Sequence, residues 1–148
     1  VFCRILASGL PDEQTHIVWR DPDGLVFALL NAYPYATGHV LVMPVRHVGA
    51  LEDLTAAEAA DLWAAVTTAV GALQAAYRPD GINVGLNLGR AAGAGVPGHL
   101  HAHALPRWVG DSNFMTSVAE ARVLPEPLPV TAAKLRAAWP AAADRSRR

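Results

Sequence analysis

The stretch His99-Leu100-His101-Ala102-His103-Ala104-Leu105 sets three of the chain's six histidines at alternate positions. Read as a strand, it turns all three imidazoles to one face, with neighbours about 7 Å apart along the chain. Leu100, Ala102 and Ala104 then point to the opposite face, toward a core. One face carries chemistry and the other carries packing. A sheet covered on at least one side is expected to hold such a strand.

The flanking sequence supplies that sheet. Gly89 to Gly98 holds four glycines and Pro97, which predicts a flexible loop leading into the histidines. Before it, Ile82 to Leu88 alternates like a strand. Thr15 to Arg20 and Leu25 to Leu30 read as two more strands, joined by the turn residues Asp21-Pro22-Asp23-Gly24 into a hairpin. Asn31 to Gly38 is a loop, and His39 to Pro44 a further strand. Thr55-Ala56-Ala57-Glu58 is a capping box, in which the Thr hydroxyl and Glu carboxylate each satisfy a backbone donor. The helix it opens carries Leu62, Val66, Ala69, Val70, Leu73 and Tyr77 on one stripe, and Pro79-Asp80-Gly81 ends it. Thr131 to Trp139 predicts a second, shorter helix. Runs of strands with one long helix between them predict an α+β domain over residues 1–139, its five-stranded sheet mainly antiparallel. Residues 140–148 read as a flexible C-terminal tail.

Composition narrows the function classes. The chain has 148 residues, 52% apolar and 17% charged, enough apolar surface for a real core and too much for disorder. A formal net charge of −1 argues against a binder of nucleic-acid polymers, which needs a basic face. A small phosphate ligand asks only for local positive charge and backbone donors. The single cysteine forbids an internal disulfide framework and fits a reducing, cytoplasmic setting. Arg4 and Pro11-Asp12-Glu13 interrupt the N-terminal apolar residues, so no secretory signal is expected. The uncharged run from Leu62 to Tyr77 is too short for a membrane span.

Three chemistries compete for the histidine row. As buried core residues, three half-charged rings side by side would each need a partner. As a zinc centre, His-x-His on a strand is a familiar donor pattern, but the outer two backbones lie roughly 13 Å apart, which strains a single centre. As a nucleophile, a histidine in mid-row attacks phosphorus through one ring nitrogen while the other is held as a donor, which fixes the tautomer. A flanking imidazole can then move protons near pH 7. The glycines of Gly93-Ala94-Gly95-Val96-Pro97-Gly98 let backbone N–H groups approach phosphate oxygens. This last reading uses most of the surrounding sequence.

The same residues resemble a known family, the histidine triad (HIT) nucleotide hydrolases and transferases. Its signature alternates His with hydrophobic residues, and His99 to Leu105 fills every position. Leu30-Asn31 through Gly38-His39 to Pro44 is similar to the family's Asn…Gly-His-hydrophobic-Pro segment. Asn83 to Gly89, the Ala/Gly-rich loop and Pro106 to Met115 look most like actinobacterial diadenosine tetraphosphate phosphorylases and hydrolases. Ala102 departs from that subgroup, which often has Gln there, and the departure leaves the acceptor open.

The resemblance implies a HIT-like fold, a homodimer whose sheets or helices pack together, and nucleotidyl transfer from an adenosine polyphosphate. It implies His101 as nucleophile, His103 orienting it or binding a phosphate oxygen, and His99 assisting the leaving group or shaping the site. Asn31 would contact ribose, and Asn87 with Gly93, Gly95 and Gly98 would hold phosphates. Arg107 would neutralise polyphosphate, with Asp111 and Asn113 as weaker candidates. His39 is expected in a structural or pocket-wall role, and His16 in solvent. The chemistry requires no metal, although magnesium could accompany the substrate. Family members with an N-terminal Cys-x-x-Cys bind structural zinc, which implies Cys3, His47 and His99 as ligands, with a fourth upstream of Val1. The alternatives are another acceptor or substrate, such as an amine or adenylyl sulfate, and a nucleotide-binding module without turnover.

Overall fold

The computed structural model describes residues 1–112 and 125–139. The expected tail at 140–148 and the candidate Asn113 lie outside the described residues. Five strands, β1 (Ile17–Arg20), β2 (Val26–Leu30), β3 (Val40–Pro44), β4 (Gly81–Leu86) and β5 (Ala102–Arg107), form one sheet in the order β1-β2-β3-β5-β4. Every neighbouring pair is antiparallel. The long helix α3 (Ala56–Tyr77) enters between β3 and β4, and the helix α4 (Leu128–Ala138) follows β5.

The two sheet faces are covered differently. Val26, Ala28, Leu30, Val40, Val42, Ala102 and Ala104 pack against α3 and α4 through Leu62, Val66, Leu73 and Leu135. The other face sets Ile17, Phe27, Leu29, Leu41 and Met43 against Phe2 and its helix, α1 (Phe2–Ala7). Strand alternation sorts these residues, so both faces of β2 and β3 are apolar and all ten of their residues are buried. The expected capping box is present: Glu58 N–H donates to the Thr55 hydroxyl, and Thr55 N–H donates to the Glu58 carboxylate. Gly38 closes the turn before β3 at φ +83°. A side chain there would meet Leu73 and Tyr77 of α3 at 3.2 Å.

Three expectations need correction. The stretch from His99 to Leu105, with its strand expected from Leu100, is a strand only from Ala102 onward, so His99 and His101 precede it. The register pairs Val42 with Ala102, which would set Leu100 against Pro44. Proline has no N–H for that ladder, and the Leu100 N–H instead donates to Val48 O at 2.7 Å. The alternation of faces survives: Leu100 joins the α3 side, while His99 and His101 lie against Phe2. The last helix starts earlier than Thr131, because Pro129 is tolerated in a first turn whose N–H groups have no intrahelical acceptor. Two short helices, α1 and α2 (Asp12–Thr15), were not anticipated ahead of β1.

Candidate active site

β3 and β5 lie side by side and bring four histidines onto the Phe2 face. His103 is paired with Leu41 on β3, and His39 precedes β3 with the same parity. The His39 and His103 rings are 5.1 Å apart, and so are those of His101 and His103. On the other flank of β5 the residue opposite His103 is Gly85. Nothing lies within 4 Å of where a Gly85 side chain would begin, so the space beside His103 is open.

Hydrogen bonds fix the tautomers. His101 Nδ1 lies 2.7 Å from the carbonyl oxygen of His99, which can only accept, so Nδ1 carries the proton. The lone pair of neutral His101 is therefore on Nε2. His39 Nδ1 accepts from Tyr35 N–H at 3.2 Å, and the Asn31 amide nitrogen lies 3.3 Å from it. His39 then donates from Nε2 to His103 Nδ1 at 2.8 Å. That leaves the His103 proton on Nε2, a buried atom with no partner among the described residues. The chain of donors ends on an N–H that awaits an acceptor, next to the His101 ring, whose Nε2 carries the lone pair. Such a pair can attack phosphorus and bind one of its oxygens.

Burial disfavours the charged form of His39, His103 and His99. It pushes His39 down to about 4, with His103 and His101 adding repulsion. It lowers His103 as well, and His101 repels a second charge there. His99 is also lowered by burial, although its bond to the Pro44 carbonyl works the other way.

His99 faces a different group. Its Nε2 donates to Pro44 O at 2.9 Å, which leaves Nδ1 as an acceptor. That nitrogen lies 3.4 Å from His47 Nδ1 and 3.6 Å from Cys3 Sγ, and Cys3 Sγ lies 3.3 Å from His47 Nδ1. Bonds of about 2.05 Å to nitrogen and 2.3 Å to sulfur at a tetrahedral centre give edges of about 3.4 Å and 3.6 Å. The three donors fit a zinc ion, and these are the residues expected to hold one. Among the described residues this is the one cluster of at least three such donors, so the three row histidines do not converge on a single metal.

The remaining expected residues divide. Asn31 sits beside His39, its side-chain oxygen accepting from Tyr33 N–H at 3.0 Å. Asn87 reaches the loop, its amide 3.4 Å from Gly93 O. Gly93 takes φ +91°, a left-handed conformation suited to glycine, and Gly98 packs near the His47 ring. Arg107, expected at the polyphosphate, is held within the protein. Its guanidinium donates to both oxygens of Asp111 at 2.6 Å, to Asn83 and to Ser112, which closes the turn after β5. Its hydrogen bonds go to the protein, and Asp111 is engaged with it. His16, expected in solvent, is instead half-buried ahead of β1 in a left-handed conformation, with Nδ1 a buried atom lacking a partner among the described residues. Sequence reasoning placed His39 as pocket wall and missed its bond to His103. The available signal was its parity with Leu41 and Met43 on a strand neighbouring the row.

The chain is similar to known proteins in sequence and in fold. The HIT domain pattern matches residues 12–109. The chain is 45% identical over 130 residues to a protein named AP-4-A phosphorylase from Mycobacterium tuberculosis, covering 88% of this chain. It spans 66% of that relative's length. A bis(5'-adenosyl)-triphosphatase of Dictyostelium discoideum is 40% identical over 83 residues, 56% of this chain and 55% of that protein. A zinc-bound histidine triad family protein from Mycobacterium smegmatis superposes with a TM-score of 0.73 at 28% identity, covering 93% of this chain and 91% of that one.

Proposed function

Because this chain belongs to the HIT domain family, we propose that it transfers an adenylyl group from a dinucleoside polyphosphate through a covalent intermediate on His101. The observation that carries the reading is the bond from His101 Nδ1–H to His99 O, which fixes a nucleophilic Nε2 beside the unpartnered N–H of His103.

In the first displacement the Nε2 lone pair forms a bond to the α-phosphorus. The bond from that phosphorus to the bridging oxygen breaks, and the electron pair leaves on oxygen. From diadenosine tetraphosphate the departing group is ATP. In the second displacement an acceptor oxygen attacks the same phosphorus, the P–N bond breaks, and His101 regains its lone pair. Two displacements let one positioned nucleophile serve both steps. His103 Nε2–H donates to a non-bridging oxygen as charge builds there, and neutral His39 holds that donor in place. Asn31 contacts ribose, and Asn87 with Gly93, Gly95 and Gly98 encloses the phosphates. His99, with both nitrogens engaged elsewhere, acts by positioning His101 through its carbonyl.

Orthophosphate is the acceptor favoured by likeness to the mycobacterial phosphorylase, and water is its rival. Magnesium enters as the counter-ion of the polyphosphate. Cys3, His47 and His99 hold a structural zinc, which supplies a cross-link between α1 and the segments flanking the row. Residues 1–139 make up the domain. The chain pairs as a homodimer through β4, a sheet edge with Val84 exposed, and a single-chain mass by light scattering would contradict that.

Product analysis with diadenosine tetraphosphate tests the reading. ADP plus ATP formed only with orthophosphate establishes a phosphorylase, and AMP plus ATP without it a hydrolase. Binding without turnover would overturn catalysis.

A further inference from the structure

We propose that the groove between Ala32–Tyr35 and Pro125–Leu128 binds the second adenine ring of a dinucleoside polyphosphate, with Tyr33 as its stacking platform. The inference rests on the dinucleotide reading above and concerns the nucleoside that departs with the leaving group.

The groove has a volume of about 470 Å³ and is lined by Ala32, Tyr33, Pro34, Tyr35 and residues 125–128. That is within the range of ordinary small-ligand sites. Its walls are fixed. Tyr33 N–H is tied to Asn31, and Glu126 N–H donates to Thr37 Oγ1 at 2.9 Å. The Glu126 carboxylate is taken up by Tyr77 on α3 and by Thr131 and Lys134 on α4, the lysine charge being spent on that ion pair. Among the described residues, what remains to face a ligand is two tyrosines, three prolines and aliphatic carbon, with no Lys or Arg in the lining. Such a lining does not select phosphate. It suits a flat, uncharged aromatic ring.

The groove also joins the histidine row. The Tyr35 ring lies 4.9 Å from that of His39 and stacks on His103 at 6.5 Å with 8° between planes. A polyphosphate that begins at His101 and passes His103 is led toward it. Tyr33 is 86% exposed and Tyr35 66%, an unusual outlay of aromatic surface at the mouth of a site. An open platform of this kind holds a base by its π-face and releases it readily.

The test compares diadenosine tetraphosphate with adenosine 5′-tetraphosphate, which has the same phosphate chain and no second nucleoside. In Tyr33→Ala, KM for the dinucleotide should rise about five-fold or more with kcat within about two-fold of wild type. KM for adenosine 5′-tetraphosphate should stay put, and Tyr33→Phe should restore dinucleotide KM. Equilibrium binding of both nucleotides to His101→Asn, with and without Tyr33→Ala, should show the same selectivity loss. Wild-type turnover of the dinucleotide with unchanged KM in Tyr33→Ala overturns the groove alone, as does an equal rise for both nucleotides. Failure of the wild type to consume or bind the dinucleotide overturns the parent reading and this one together.

Discussion

At the scale of single residues, the site is built by deciding which nitrogen of each ring is free. His39 shows how burial sets that choice. Its value near 4 lies below the ordinary 6.5, so the unfolded chain takes up a proton that the folded one refuses. The stability this group provides is complete above about pH 6.5 and is lost as pH falls toward 4. The loss should reach on the order of 3 kcal/mol at the acid end. Denaturant melts across that window should slope less in His39→Gln, and equal slopes would contradict the assignment. Arg107→Ala makes the opposite test. With its donors committed to Asp111, Asn83 and Ser112, its loss should lower the unfolding midpoint and leave KM for nucleotide unchanged. A large rise in KM would return Arg107 to the phosphates. The alternation of His99, His101 and His103 was readable in the sequence, because a period of two is a local property. The pairing of His39 with His103, and of Arg107 with Asp111, depends on strand neighbours and a turn that local patterns do not encode.

At the scale of elements, α3 is the piece that sequence describes best. Thr55 and Glu58 announce its start, and of the expected stripe Leu62, Val66, Ala69 and Leu73 are buried, while Val70 is only half-buried and Ala65 and Ala72 join the buried face. Thr55→Ala should cost about 1 kcal/mol through the lost cap. Leu62→Ala should cost about 2–5 kcal/mol, since Leu62 is fully buried beneath the sheet. Urea denaturation reads both, and a Leu62 cost no larger than the Thr55 cost would contradict the packing described. The boundary of β5 was less legible. Its start depends on Pro44, distant in sequence, which ends the shared ladder and lets Leu100 bond to Val48. The short helix α1 lacked a readable pattern because six residues span too few turns for periodicity, yet it brings Phe2 and Cys3 to the histidines.

At the scale of the whole molecule, the sheet separates packing from chemistry. One face is buried by α3 and α4, and the other supports a row of rings closed at one end by Cys3, His47 and His99. Metal analysis of the purified protein should find about one zinc per chain. Cys3→Ser or chelation should remove it and lower the melting temperature, and a protein that melts alike with and without metal would contradict the structural role. The central claim concerns His101. Brief incubation with diadenosine tetraphosphate in the absence of acceptor, followed by peptide mass spectrometry, should place an adenylyl group on His101 that orthophosphate then discharges as ADP. Turnover at full rate in His101→Ala, or an adenylyl group found on another residue, would contradict the account.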